Sequence, residues 1–347
     1  ATPMAALSGW GWATCTTDRA GGFYAVPYYF AKKIQADVGV PVGLVCSKWS
    51  GSVIAAWIRK DAIEREPALA PALQRYAAAL DIYPVEKAKY DVAQAEWLKS
   101  GKKGDAPRVP LGPGHHNAPG GLYNGMIAPL MPLKIKGVLW YQGEQNVWEG
   151  GAAEYRAALP ALITDWRKQW GQGDLPFLIV QLPNFGPRVA EPTRSRWAEL
   201  REAQASALSL PNTAMAVTID VGEADNVHPR NKKDVGERLA LAALATVYGK
   251  AIESRGPTFD RIDFDGTSAT VRFDHAAGLS WKTAGTPTGF LIAGEDRRFH
   301  PAEASIGSDG VITLSSASVP RPTAVRYAWA DSPDCNLVNA AGLPAQP

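Results

Sequence analysis

Cysteine is scarce in this chain. The 347 residues hold three, Cys15, Cys46 and Cys335. None forms a CxxC pair, which argues against a zinc ribbon or a thioredoxin-like site, and an odd count says little about redox compartment. Cys46 closes an apolar run and is expected to be a buried free thiol. No stretch approaches the roughly 20 apolar residues of a membrane span. The chain opens Ala1-Thr2-Pro3, without a charged or apolar leader, so any signal peptide is expected to have been removed already. Charge of one sign is also lacking. Lys and Arg number 36 against 34 Asp and Glu, a net charge of +2. No basic run is interleaved with aromatics, so neither nucleic acid nor an anionic membrane is an expected partner. The five histidines show no metal-ligand spacing. There is no internal repeat and no low-complexity tract.

What is present is the composition of a folded protein, 46% hydrophobic and 20% charged, and long enough for a large domain plus a smaller one. Residues 1–22 read as irregular. A helix is expected from about Ala25 to Val38, with Pro27 tolerated in its first turn. Val42 to Cys46 reads as a short buried strand. Residues 61–100 carry helical periodicity through Leu69, Leu73, Tyr76 and Leu80. The loop that follows, Lys99 to Gly121, is dense in Gly, Pro and Lys. Residues 61–112 therefore look like a helical insertion. Further strands are expected at 137–141, 177–182 and 214–219, with helices at 153–170, 195–208 and 232–248. These strands are continuous apolar runs, as in parallel sheets covered on both faces. Strand and helix alternate four times, which predicts an α/β fold with right-handed crossovers over residues 1–249. After Gly249, short alternating segments such as 269–273 and 310–314 predict a small antiparallel β domain over 250–347.

In an open parallel sheet, ligands bind beyond the carboxyl ends of the strands. Those tips carry Ser47-Lys48-Trp49-Ser50-Gly51-Ser52, Gln142-Gly143-Glu144-Gln145-Asn146, Pro183-Asn184-Phe185-Gly186, and Asp220 to Pro229. His228 follows Asp225 by three residues. A turn of that spacing can set a carboxylate against imidazole Nδ1 and leave Nε2 as a base. Equally, His228 can be a helix-capping residue and Asp225 a solvated loop residue. Asn146 can donate its amide to an oxyanion, or be a plain turn residue. Gly51 can offer an unobstructed backbone N–H, or be a plain turn glycine. Trp49, Trp57, Trp140 and Trp148 can stack on sugar rings, although tryptophan beside buried strands is more often core.

Taken together, VPVGLVCSKWSGSVIAAW, LYNGMIAPLMPLKIKGVLWYQGEQN, PFLIVQLPNF, RWAELREAQ, VHPRNKKDVGERLALAAL and GFLIAGEDRRF resemble the sialate O-acetylesterase family, a branch of the SGNH hydrolases that is also similar to certain acetylxylan esterases. The resemblance runs from about Trp10 to the C-terminus. It implies a parallel sheet flanked by helices and a serine nucleophile in a GQSNM-like string on the first strand. It also implies Gly51 and Asn146 as the oxyanion hole and His228 as the base. Asp225 matches the superfamily's DxxH, with Asp220 and Glu223 as rivals for the acid. Gln142 and Trp49 are expected near the substrate. Where the family usually has Trp-Gly-Gly, this chain has Trp49-Ser50-Gly51, and a side chain at position 50 could narrow the oxyanion pocket.

No GQSNM-like or GDS-like string occurs in the 347 residues. Three explanations compete. A second polypeptide segment supplies the first strand and its serine, or the sequence in hand is incomplete at its start, or the chain is a non-catalytic carbohydrate-binding relative. The first two are preferred, because a parallel sheet without its first strand exposes unpaired backbone groups. Ser47, Ser50 and Ser52 occupy the oxyanion loop and are poorly placed as substitutes. The expected activity is removal of acetyl groups from an acetylated carbohydrate by a secreted or periplasmic enzyme, without metal or organic cofactor.

Overall fold

The computed structural model describes residues 2–4, 11–189, 194–282 and 286–347. Of the irregular start, residues 1 and 5–10, Trp10 among them, lie outside the described residues. The chain divides into two compact units. One is built mainly from Cys46–Ile135 and Gln145–Asp174. The other combines Trp12–Val45, Lys136–Glu144 and Leu175–Pro347.

The first unit is helical. It contains α2 (Lys60–Glu64), α3 (Ala70–Lys99), most of α4 (Glu144–Trp148) and α5 (Gly151–Trp170). Helix α5 buries Tyr155, Ala158, Leu159, Leu162, Ile163 and Trp166, a stripe at three- and four-residue spacing. That stripe faces α2 and the short turns Ile54–Trp57 and Pro67–Leu69. Two ion pairs pin the polar margin. Arg75 reaches both carboxylate oxygens of Glu154 at 2.8 Å, and Arg59 Nε lies 3.0 Å from Asp165 Oδ1. The expected helical stretch 61–100 is divided between α2, the turn Pro67–Leu69 and α3, and α3 leaves Leu80, Ile82, Val85 and Val92 exposed.

The second unit contains α1 (Ala25–Val38) and a parallel sheet of β1 (Val138–Trp140), β2 (Phe177–Val180) and β3 (Thr213–Ala216), in the order β1-β2-β3. Helices α6 (Arg196–Ala205) and α7 (Lys232–Thr246) follow β2 and β3. The core joins Ile34 of α1, Leu178 and Val180 of β2, Ala214 and Ala216 of β3, and Val235, Leu239 and Ala243 of α7. Val26, Phe30, Ile34 and Val38 form one stripe of α1 at four-residue spacing. Gly236 lets α7 approach α1 closely, since a Cβ there would come within 2.6 Å of the Val26 carbonyl.

The expected strand at Val42–Cys46 does not form. Val42 and Leu44 are partly covered, whereas Gly43, Val45 and Cys46 are exposed, so only one side of the run is screened from water. No strand among the described residues takes its ladder hydrogen bonds, and a pentapeptide without a ladder partner has nothing to hold it extended. Among the described residues the sheet therefore has three strands where four were expected. Cys46 is likewise an exposed thiol instead of a buried one.

The alternating segments after residue 250 form antiparallel sheets. Strands β4 (Thr258–Asp265), β5 (Ser268–Asp274), β9 (Glu303–Ile306) and β10 (Ile312–Ser315) pair in the order β4-β5-β10-β9. Strands β7 (Phe290–Ala293), β8 (His300–Pro301) and β11 (Ala324–Tyr327) form a second sheet, and β6 (Ser280–Trp281) pairs with β12 (Leu337–Val338). Ala269, Val271, Ile312 and Leu314 alternate inward, as period-two patterning requires. No helix among the described residues is long and apolar enough to cross a membrane.

Strand β2 is buried along its whole length, so the backbone just past its end still needs partners away from water. Side chains of α6 provide them. Gln204 Oε1 accepts from the Leu182 N–H at 2.8 Å, Arg201 Nε donates to the Leu182 carbonyl at 2.9 Å, and the Trp197 indole N–H donates to the Pro183 carbonyl at 2.6 Å. Arg201 is only 1% exposed and also donates to the carbonyls of Ala330 and Asp331, both at 2.7 Å. Burial pulls its pKa down to about 9, which leaves it cationic at neutral pH. Arg201→Leu strands these carbonyls. It is expected to cost about 3–5 kcal/mol in urea or thermal unfolding. An unchanged unfolding midpoint would show that the guanidinium is dispensable.

Candidate active site

In the helical unit, the site residues cluster around the loop Trp49–Ile54. Gly51 has φ +67°, a backbone conformation open to glycine at little cost. Two asparagines hold the loop. Asn146 of α4 is 1% exposed, and its Oδ1 accepts the Ile54 N–H at 2.9 Å, while its amide nitrogen donates to the Glu149 carbonyl at 3.1 Å. Asn117 accepts the Val53 N–H at 2.9 Å and donates to the Gly51 carbonyl at 3.1 Å. With the carbonyl and the next residues anchored, the Gly51 N–H points to no acceptor among the described residues. The structure thus brings Gly51 and Asn146 into one hydrogen-bonded loop.

Of the loop serines, Ser52 is committed twice, donating to the Trp49 carbonyl at 2.8 Å and accepting the Trp57 indole N–H at 2.9 Å. Ser47 Oγ lies 3.4 Å from the Met126 carbonyl, and Ser50 is exposed. Trp57 and Trp140 are core, whereas Trp49 and Trp148 are exposed.

In the sheet-bearing unit, His228 lies on the loop between β3 and α7 and is exposed. Its backbone N–H donates to Asn226 Oδ1 at 2.9 Å, and its imidazole makes no hydrogen bond among the described residues. Asp225 is exposed and makes no hydrogen bond to His228. Instead Glu223 and Asn226 shape the turn. They form a bridge, and Glu223 Oε1 accepts the Arg230 N–H at 2.7 Å. Asp220 is engaged elsewhere, with Arg238 at 2.6 and 2.9 Å and Lys282 at 2.9 Å. Burial opposes its ionisation, but the Arg238 hydrogen bonds and charge, with Lys282, outweigh that and lower its pKa. Gln142 is buried, and its carbonyl accepts from Gln204 Nε2 at 3.1 Å.

Glu144, the first residue of α4, is the carboxylate that the sequence reading passed over. Burial raises its pKa; against this act backbone hydrogen bonds and the charges of His228 and Lys232. Lys232 in turn has its pKa lowered by burial, opposed by Glu144 and Glu223, and its Nζ sits 5.5 Å from the centre of the Tyr141 ring. Burial, and then the Glu144 charge, raise the Tyr141 pKa. An exposed imidazole, a carboxylate whose ionisation responds to it and an ammonium therefore share one electrostatic neighbourhood. The glutamate stands inside the QGE-x-N string, while the charges acting on it come from the loop before α7 and from its first residue, more than 80 residues later in the sequence. No cluster of three metal-ligating side chains occurs among the described residues.

The helical unit thus holds a backbone donor on a glycine loop, and the sheet-bearing unit holds an exposed histidine and a partly buried carboxylate beyond the carboxyl ends of its strands. The comparisons make the class specific. Residues 114–245 match the family described as a carbohydrate esterase, sialic acid-specific acetylesterase. A crystal structure of a carbohydrate acetylesterase from Xanthomonas citri superposes with a TM-score of 0.81 at 39% identity, covering 100% of this chain and 69% of that one. The sialate O-acetylesterases of Pongo abelii and Homo sapiens are 28% and 27% identical, each over 97% of this chain. The chain belongs to the sialate O-acetylesterase family. It spans 63% of the length of those two curated relatives.

The raised Glu144 pKa has a consequence for stability. Folded chain holds this proton to higher pH than unfolded chain, so the group's contribution is fully present at acid pH and lost as pH rises through its raised pKa. Glu144→Gln should match wild type in Tm below the ordinary carboxylate range of about pH 4.3. Above that range the variant should become the more stable of the two, by a margin that grows with pH. A margin that shrinks with rising pH would show that Glu144 is stabilised as the anion.

Proposed function

We propose that this chain is the larger part of a carbohydrate O-acetylesterase that works by serine-hydrolase chemistry, with the serine supplied from outside residues 1–347. The observation that carries the reading is the His228 imidazole, which makes no hydrogen bond among the described residues and whose charge acts on the partly buried Glu144 carboxylate. A structural histidine would ordinarily be bonded or packed. The proposed nucleophile lies elsewhere because Ser52 is committed, and because the curated relatives extend well beyond the span they share with this chain.

In the proposed reaction the serine Oγ attacks the acetyl carbonyl carbon as His228 Nε2 takes its proton. The carbonyl oxygen gains the negative charge and accepts from the Gly51 N–H and the Asn146 amide, each donor contributing about 3 kcal/mol in comparable sites. Collapse breaks the bond to the sugar oxygen, which leaves with the proton held by His228. Water then attacks the acetyl-serine, His228 again carrying the proton, and acetate departs. Asp225, by its spacing, is the proposed holder of the imidazole tautomer. Glu144 is the carboxylate that lies in the same electrostatic neighbourhood as His228. Gln142 lies beside the substrate. No step calls for a metal or organic cofactor.

The test is acetate release from acetylated sugars by the complete protein. His228→Ala should lower kcat/KM at least about 100-fold. An unchanged rate overturns the assignment. Asp225→Asn and Glu144→Gln should each depress kcat; an unchanged kcat in Asp225→Asn would remove Asp225 from the acid role. Sugar affinity without acetate release would favour a carbohydrate-binding role.

A further inference from the structure

Beside the Gly51 loop three aromatic rings stand in a row. The Trp49 indole stacks on His116 with centroids 5.4 Å apart and planes 24° apart, and His116 stacks on His115 at 4.2 Å and 29°. The far end is anchored. His115 Nδ1 accepts the Asn117 backbone N–H at 3.0 Å, which requires an unprotonated Nδ1. The same Asn117 holds Val53 and Gly51, so the row and the proposed oxyanion donor are fixed to one residue. The near end is open, with Trp49 50% exposed. Burial lowers the pKa of both imidazoles, and His115 adds to the effect on His116, which favours neutral rings.

A lone surface tryptophan needs no explanation, but this one is held flat by a ring stacked behind it, and its support is shared with the Gly51 loop. Rigid aromatic faces of this kind suit the C–H face of a pyranose ring, whose hydroxyls stay hydrated at the edge. We propose that the Trp49–His116 stack is the sugar subsite, against which the pyranose ring of the acetylated substrate lies while its acetyl group is at Gly51. The assignment rests on the esterase reading.

The experiment measures hydrolysis by the complete protein of two sugar substrates, O-acetylated N-acetylneuraminic acid and acetylated methyl β-xyloside, and of p-nitrophenyl acetate, which has no sugar. Trp49→Ala should raise KM for the sugar ester that wild type turns over by about tenfold more than for p-nitrophenyl acetate. His116→Ala should show the same selectivity in weaker form, and Trp49→Phe should recover most of it. An equal loss on all substrates would make the stack a support for the loop and overturn the subsite, as would no loss at all. Wild-type protein that releases acetate from p-nitrophenyl acetate but from no sugar ester also overturns it. Wild-type protein inactive on every ester overturns the esterase reading itself.

Discussion

A strand that runs through the dry centre of a sheet must hand its backbone groups to other partners where its ladder stops. In this protein the handover at the end of β2 is made by Trp197, Arg201 and Gln204, spaced to lie on one face of α6. Arg201 extends it to the carbonyls of Ala330 and Asp331, near the C-terminus. Because side chains satisfy these groups, the chain can leave the sheet at residues 181–186 without a further strand. Loops at the carboxyl ends of the strands are then free to carry polar residues. The string RWAELREAQ, which reads as an ordinary amphipathic helix, owes its two buried polar residues to this demand.

The same principle governs the glycine loop. Asn117 and Asn146 take the N–H groups of Val53 and Ile54 and leave the Gly51 N–H without an acceptor among the described residues. Fixing neighbours while sparing one donor is how a backbone becomes a pre-organised electrostatic site, since no reorganisation is needed when charge develops. Glu144 shows the complementary tactic. Its burial disfavours the anion, and nearby cationic charge counters that, which keeps its ionisation responsive to His228.

Much of this was legible in the sequence. Helix α1 spans the expected residues 25–38, because Pro27 suits a first turn and Gly39 ends the helix at φ +75°. The cores of β1, β2 and β3 fell inside continuous apolar runs. Val42–Cys46 carried the same signal and formed no strand, since hydrophobicity cannot report whether a ladder partner stands alongside. Cys46 failed with it. At the candidate site, Gly51, Asn146 and His228 were named through the family resemblance. Asn117 was hidden in a Gly/Pro-rich loop that reads as insertion, and its role exists only through contacts 64 and 66 residues away. Asp225 and His228 have a suggestive spacing, yet the turn between them is shaped by Glu223 and Asn226. Spacing fixes what a turn can do, and competing side chains decide what it does.

The central claim is that His228 serves a serine that residues 1–347 do not contain. It is tested most directly by treating the complete protein with a serine-directed phosphonate and mapping the adduct by peptide mass spectrometry. The account predicts one adduct, on a serine outside residues 1–347, lost in His228→Ala. An adduct on Ser47, Ser50 or Ser52, or hydrolysis of acetylated sugars with no serine labelled, would contradict it.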